Sequence, residues 1–94
     1  MGKVLLVEDS EDLRFALASV IRKEGHTVFE AENGSRAAEI IAKELIDLAF
    51  LDIGLPDMDG MSLIGMLRKG SPDTDIIMIT GINDARTAVQ SLKA

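Results

Sequence analysis

The chain alternates between two kinds of hydrophobic pattern. Three short runs are apolar at nearly every position, a fourth short run alternates in part, and each is followed by a longer stretch with apolar residues every three or four positions. The short runs are typical of strands in a buried sheet, and the longer stretches are typical of amphipathic helices. The pattern predicts strands over residues 4–7, 27–31, 48–51 and 76–80.

A helix is predicted after each strand. The first should run from about residue 11 to 24, with Asp9 or Ser10 as its N-cap and Gly25 at its end. The third should cover about residues 60–69, after a loop over 53–59. The apolar faces of the first, second and fourth helices are predicted to be Leu13, Ala16, Leu17, Val20 and Ile21; Ala37, Ala38, Ile41 and Leu45; and Ala85, Ala88, Val89 and Leu92.

Four strand and helix units in strict alternation predict the fold class. Such units form parallel sheets with right-handed crossovers. Strands that are apolar on both faces need helices on both sides of the sheet. A chain of 94 residues has room for one domain of this kind. The prediction is a doubly wound α/β sandwich, with Met61, Met66 and Met78 filling gaps in its core.

The composition limits the kinds of binding partner and the cellular location that we expect for this chain. The net charge of −6 disfavours surfaces that bind nucleic acid or anionic lipid, so this chain is not expected to bind DNA. Cysteine is absent, which excludes disulfides and thiolate metal sites. No apolar stretch approaches the roughly 20 residues of a membrane helix, and no signal-peptide pattern is present. We expect a cytoplasmic protein with no membrane contact.

The polar residues at the carboxyl ends of the strands indicate the chemistry. In a doubly wound sheet the site lies beyond these ends, where Glu8, Asp9 and Asp52 meet Thr80 and Gly81. Carboxylates about 5 Å apart repel by roughly 3 kcal/mol per pair at an effective dielectric constant near 20. Either one acid takes up a proton, or a hard divalent cation binds; oxygen ligands favour Mg²⁺ or Mn²⁺ over zinc.

A carboxylate beside such a cation is a candidate nucleophile toward phosphorus. Asp52 is the expected phosphoacceptor, with Glu8 and Asp9 as metal ligands. The hydroxyl of Thr80 and the backbone around Gly81 would contact the phosphoryl oxygens. By contrast, Asp57 and Asp59 are expected to be turn and capping residues, because they follow Pro56 and precede the third helix.

Three segments together resemble the receiver domain of bacterial two-component response regulators: VLLVED (4–9), LDIGLPDMDG (51–60) and ITG (79–81). The resemblance implies a flavodoxin-like sheet of order 2-1-3-4-5. It implies that a histidine kinase passes a phosphoryl group to Asp52, and that Glu8 and Asp9 bind magnesium. It also implies that the backbone carbonyl of Gly54 is a further ligand and that Thr80 is the switch hydroxyl.

The chain departs from this family at two places. Gly54 stands where a larger side chain is more common, so water access to a phosphate should differ. The chain stops at Ala94, before the family's fifth strand and helix, which carry a phosphate-binding lysine. We therefore expect a truncated receiver domain over residues 1–94, of strand order 2-1-3-4, which self-associates through the uncovered edge of its fourth strand.

Several functions remain open from the sequence. The preferred one is a signalling domain that is not an enzyme and that controls an output domain outside this chain; the segment 80–90 resembles receivers attached to transcription factors. The main alternative is an interaction-only fragment with impaired phosphorylation. A flavin-binding electron carrier would need a hydroxyl-rich loop where Glu8 and Asp9 stand, and a metal-dependent phosphatase or nuclease would need a further acid or base near Asp52.

Overall fold

The structure, a computed structural model, describes residues 2–52 and 54–79. In chain order its elements are β1 (Lys3–Val7), α1 (Glu11–Lys23), β2 (Thr27–Ala31), α2 (Gly34–Lys43), β3 (Leu48–Asp52), α3 (Gly60–Gly70) and β4 (Asp75–Ile79). The fourth helix predicted from the sequence lies outside the described residues. None of the helices in the described ranges is long and apolar enough to cross a membrane.

The strands form one parallel sheet of order β2-β1-β3-β4. Alternate residues of β1 point to opposite faces and pack in separate clusters. Leu5 and Val7 belong to the larger cluster, with residues of α2 and α3, while Val4 and Leu6 belong to the smaller cluster, with Ala18 of α1. The predicted doubly wound α/β fold and its strand order are confirmed.

Side chains cap the start of each described helix. Ser10 Oγ accepts a hydrogen bond from Leu13 N, Asn33 Oδ1 accepts one from Arg36 N, and Asp59 Oδ1 accepts one from Ser62 N. Of the two residues proposed for the cap of α1, Ser10 is therefore the one used. Gly25 follows α1 with a φ of 93°, a conformation that glycine adopts without steric cost.

Several predicted core positions are wrong. Helix α2 ends at Lys43, so Leu45 lies beyond it and is 71% exposed. Val20 of α1 is also exposed, because the buried stripe of that helix runs through Arg14 and Ala18. The methionines predicted to fill the core are solvent-exposed to different degrees: Met61, Met66 and Met78.

Leu63 tests the larger core. Leu63 lies on α3, and its side chain is fully buried in the larger core cluster, whereas Met61 on the same helix is 71% exposed. Leu63→Ala should lower the free energy of unfolding by about 2 to 5 kcal/mol, because it removes buried methyl groups and leaves a cavity. Met61→Ala should change it by less than about 0.5 kcal/mol. Urea denaturation measures both, and equal losses would contradict this packing.

Candidate functional site

Three acidic residues meet at the carboxyl ends of the two central strands. Glu8 and Asp9 directly follow β1, and Asp52 is the last residue of β3. Val7 pairs with Leu51 in the sheet, so the residues that follow them project from the same edge. One carboxylate oxygen from each acid lies within 4.8 Å of those of the other two. The structure thus brings together the three acids that the sequence singled out.

The acids differ in burial and in hydrogen bonding. Glu8 is 2% exposed and Asp52 3% exposed, whereas Asp9 faces solvent. Glu8 Oε2 accepts a hydrogen bond from Ser10 N at 2.9 Å, and Asp52 Oδ1 accepts one from Gly54 N at 3.1 Å. Glu8 Oε1 is buried and has no partner among the described residues. A proton or a cation would satisfy this oxygen.

Burial and the close approach of the carboxylates shift their ionisation. Burial raises the pKa of Glu8 to about 7 and also raises the pKa of Asp52. The pKa of Asp9 is lowered, chiefly by the neighbouring carboxyl group of Glu8. The buried carboxyls of Glu8 and Asp52 therefore retain a proton to higher pH than isolated carboxyl groups do, whereas Asp9 ionises more readily.

The donor set fits a hard divalent cation. The three side chains supply oxygen ligands, and exposed Asp9 leaves one side open to water, as Mg²⁺ requires because it loses its hydration shell reluctantly. Gly54 lies next to this cluster, because its backbone N–H donates a hydrogen bond to Asp52. Two other predicted site residues, Thr80 and Gly81, lie outside the described residues.

The remaining acids of the loop after β3 act as structural caps, as predicted. Asp57 accepts hydrogen bonds from Gly34 N at 2.7 Å, Ser35 N at 2.9 Å and Ser35 Oγ at 2.9 Å, at the start of α2. The bond from Gly34 is the main reason that the pKa of Asp57 is lowered. Since Asp59 caps α3, both residues are occupied away from the acidic cluster.

Sequence reasoning missed Arg14. Its Nη1 donates a hydrogen bond to the backbone carbonyl of Glu8 at 3.0 Å, and the residue is 8% exposed. The sequence carried no such signal, because Arg14 lies off the apolar stripe predicted for α1, and the structure instead buries Arg14 and Ala18. A buried charged side chain needs a partner, and here the partner belongs to the candidate site.

Known proteins resemble the chain over nearly its whole length. The family model of the response regulator receiver domain matches residues 4–94. A putative transcriptional regulator of Pseudomonas aeruginosa is 38% identical over 95 residues, covering 100% of this chain and 46% of the relative. Sporulation initiation phosphotransferase F of Bacillus subtilis is 34% identical over 82 residues, covering 87% of this chain and 66% of the relative. The chain therefore spans about half to two thirds of these curated relatives.

Two solved structures agree in fold. The response regulator TrrA of Thermotoga maritima, in complex with Mg²⁺ and BeF, has a TM-score of 0.78 and 32% identity, over 100% of this chain and 82% of TrrA. A response regulator of Burkholderia pseudomallei with a phosphorylated aspartic acid and a calcium ion has a TM-score of 0.82 and 30% identity, over 99% of this chain and 55% of that one. The sheet order found here belongs to this fold.

Glu8→Gln tests the electrostatic cost of the cluster in metal-free protein. Both states hold Glu8 protonated at low pH; as pH rises from 4.5 to about 7, the unfolded chain ionises first and the folded state loses stability. Glutamine removes this loss. We expect Glu8→Gln to raise the free energy of unfolding by about 1 to 3 kcal/mol at about pH 8, and by much less at about pH 5.

Asp9→Asn is the matched control. Because the pKa of Asp9 is lowered in the folded protein, neutralising it should give no gain in stability. Urea unfolding at both pH values, in the presence of a chelator, measures the difference. A gain for Glu8→Gln that is independent of pH would contradict the assigned burial cost.

Proposed function

Since this chain belongs to the response regulator receiver domain family, we propose that it accepts a phosphoryl group on Asp52. One observation carries the proposal: buried Asp52 lies within 4.8 Å of two further carboxylates at the carboxyl edge of the sheet. Family membership favours this function over the flavin carrier and the phosphatase or nuclease considered from the sequence.

The two oxygens of the Asp52 carboxylate have different proposed roles. Its Oδ1 accepts the hydrogen bond from Gly54 N, which fixes the rotation of the carboxylate and leaves Oδ2 as the proposed nucleophile. A bond would form between Oδ2 and phosphorus while the bond from phosphorus to the donor's leaving atom breaks. Burial strips water from the carboxylate before the reaction.

Glu8, Asp9 and Asp52 are the proposed ligands of a divalent cation, with the backbone carbonyl of Gly54 as a fourth. The cation supplies positive charge against the acidic cluster and the phosphoryl oxygens. Mg²⁺ is preferred because all donors are oxygens, and Mn²⁺ suits the same ligands. The complex of TrrA with Mg²⁺ and BeF, and the structure of the Burkholderia regulator with a phosphorylated aspartic acid and a calcium ion, support the assignment.

Thr80 and Gly81 are proposed to contact the phosphoryl group. Ile79 pairs with Asp52 in the sheet, and Thr80 is the next residue in the sequence. The proposed roles are a switch hydroxyl for Thr80 and a backbone contact for Gly81.

The wider role also belongs to the proposal. The chain would act in the cytoplasm, where a histidine kinase would supply the phosphoryl group and an output domain beyond this chain would respond to it. The names of relatives support a transcriptional output: a putative transcriptional regulator of Pseudomonas aeruginosa and the transcriptional regulatory protein PhoP of Escherichia coli. We assign the chain a signalling role and no enzymatic turnover of external substrates.

Asp52→Asn tests the phosphoacceptor. Incubation of the wild-type chain with Mg²⁺ and acetyl phosphate should add the mass of one phosphoryl group, seen by intact-mass spectrometry. Asp52→Asn should add none, because an amide is a poor nucleophile toward phosphorus. Asp59→Asn is the control from the same loop and should still be modified, since Asp59 caps α3. Equal modification of the wild type and Asp52→Asn would remove Asp52 from the mechanism.

A second candidate function is self-association through β4. In the described part of the chain β4 pairs with β3 alone, and Ile77 and Met78 are exposed on it. An unpaired apolar edge can pair with another chain. We expect sedimentation equilibrium to show dimers at high concentration, weakened by Ile77→Lys and unaffected by Met61→Lys on α3. A monomer at all concentrations would exclude this function.

A further inference from the structure

The three acids of the site are held in different ways. Backbone amides donate to the carboxylates of Glu8 and Asp52, from Ser10 and Gly54 respectively. The carboxylate of Asp9 faces solvent, and the backbone amides that act on it are those of Asp9 itself and of Ser10. The direction of the Asp9 side chain therefore depends on the backbone that carries it.

That backbone is fixed by Arg14. The carbonyl of Glu8 and the N–H of Asp9 belong to one rigid peptide plane. Arg14 Nη1 donates to this carbonyl at 3.0 Å, and Glu8 N donates to Ala31 O of β2 at 3.0 Å. We propose that Arg14 is a positioning residue, which orients the Glu8–Asp9 peptide and with it the Asp9 ligand.

Arg14 also forms an ion pair with Glu30 of β2. Its Nε lies 3.4 Å from Glu30 Oε1, and Arg22 Nη1 lies 3.0 Å from Glu30 Oε2. Arg22 also donates to the Val28 carbonyl at 3.0 Å. Among the described residues, the ion pair of Arg14 is with Glu30, and its contact with the site is the hydrogen bond to the Glu8 carbonyl. The planar guanidinium of arginine has several N–H donors, so it can contact Glu30 and the Glu8 carbonyl at the same time, which the single ammonium of lysine does less well.

The inference rests on the proposed metal site and predicts the effect of removing Arg14. Residues that orient metal ligands typically change affinity by about 10- to 100-fold when substituted. We expect Arg14→Gln to raise the Mg²⁺ dissociation constant by at least about tenfold. Arg14→Lys should restore part of the affinity, because it keeps the charge and one donor but loses the fork.

Arg22→Gln is the matched control. It removes a contact to the same Glu30 and a hydrogen bond to a strand carbonyl, but Arg22 does not contact Glu8. Its Mg²⁺ affinity should equal that of the wild type, although its stability falls. Titration of the full chain with Mg²⁺, followed by amide chemical shifts in NMR, measures the three variants at a temperature where unfolding curves show each to be folded.

A metal-free measurement separates this inference from the proposed function. Without Mg²⁺, the Asp9 amide should become more mobile in Arg14→Gln by the heteronuclear NOE, and remain as in the wild type in Arg22→Gln. If the wild type binds no Mg²⁺, the proposed metal site is wrong. The mobility of the Asp9 amide would still test the positioning role of Arg14 in that case. Unchanged Asp9 mobility, or equal changes in both variants, would overturn the role of Arg14. If Arg14→Gln does not fold, Arg14→Lys is judged by the same readouts.

Discussion

The main physical constraint on the structure is the acidic cluster at the ends of β1 and β3. Three carboxylates lie close together there, and those of Glu8 and Asp52 are almost completely buried. An ionised carboxyl group loses much of its hydration on burial, so Glu8 and Asp52 destabilise the fold where they stand. The residues just before them, Val7 and Leu51, are fully buried and fix both strand ends. Anything that neutralises the cluster, whether a proton or a cation, binds the folded state in preference and stabilises it.

The loop after β3 is held from outside the cluster. Asp57 joins it to the positive end of α2, and Asp59 joins it to that of α3. Gly34 permits the first contact, because a Cβ at this position would lie 2.2 Å from Met58 Cγ. The segment that begins with Gly54 is therefore fixed at its far end by two helices. Its near end is fixed by the hydrogen bond between Gly54 and Asp52.

The sequence predicted the strands and the acidic cluster because both follow from local pattern. Apolar runs define the strands, and the carboxyl ends of parallel strands share one edge. The end of α2 left no such signal. No glycine or proline occurs in the ten residues after Lys43. The helix ends at Glu44, whose extended backbone has a φ of −123° and a ψ of 145°. Tertiary contacts decide this turn, including a hydrogen bond from Ile46 N to Ser71 Oγ at 3.1 Å.

The contrast between Asp52 and Asp57 explains why residue type alone does not identify the site. Asp52 ends β3 and Asp57 lies in the loop that follows, and both accept backbone amide hydrogen bonds. Asp57 is exposed and accepts backbone amide hydrogen bonds on both of its oxygens, which lower its pKa. Asp52 is buried beside two other acids, and its pKa is raised. The hydrogen-bonded carboxylate of Asp57 stabilises the start of a helix. The buried carboxylate of Asp52 destabilises the fold until a cation or a proton neutralises it, and this makes it a candidate for binding and reaction.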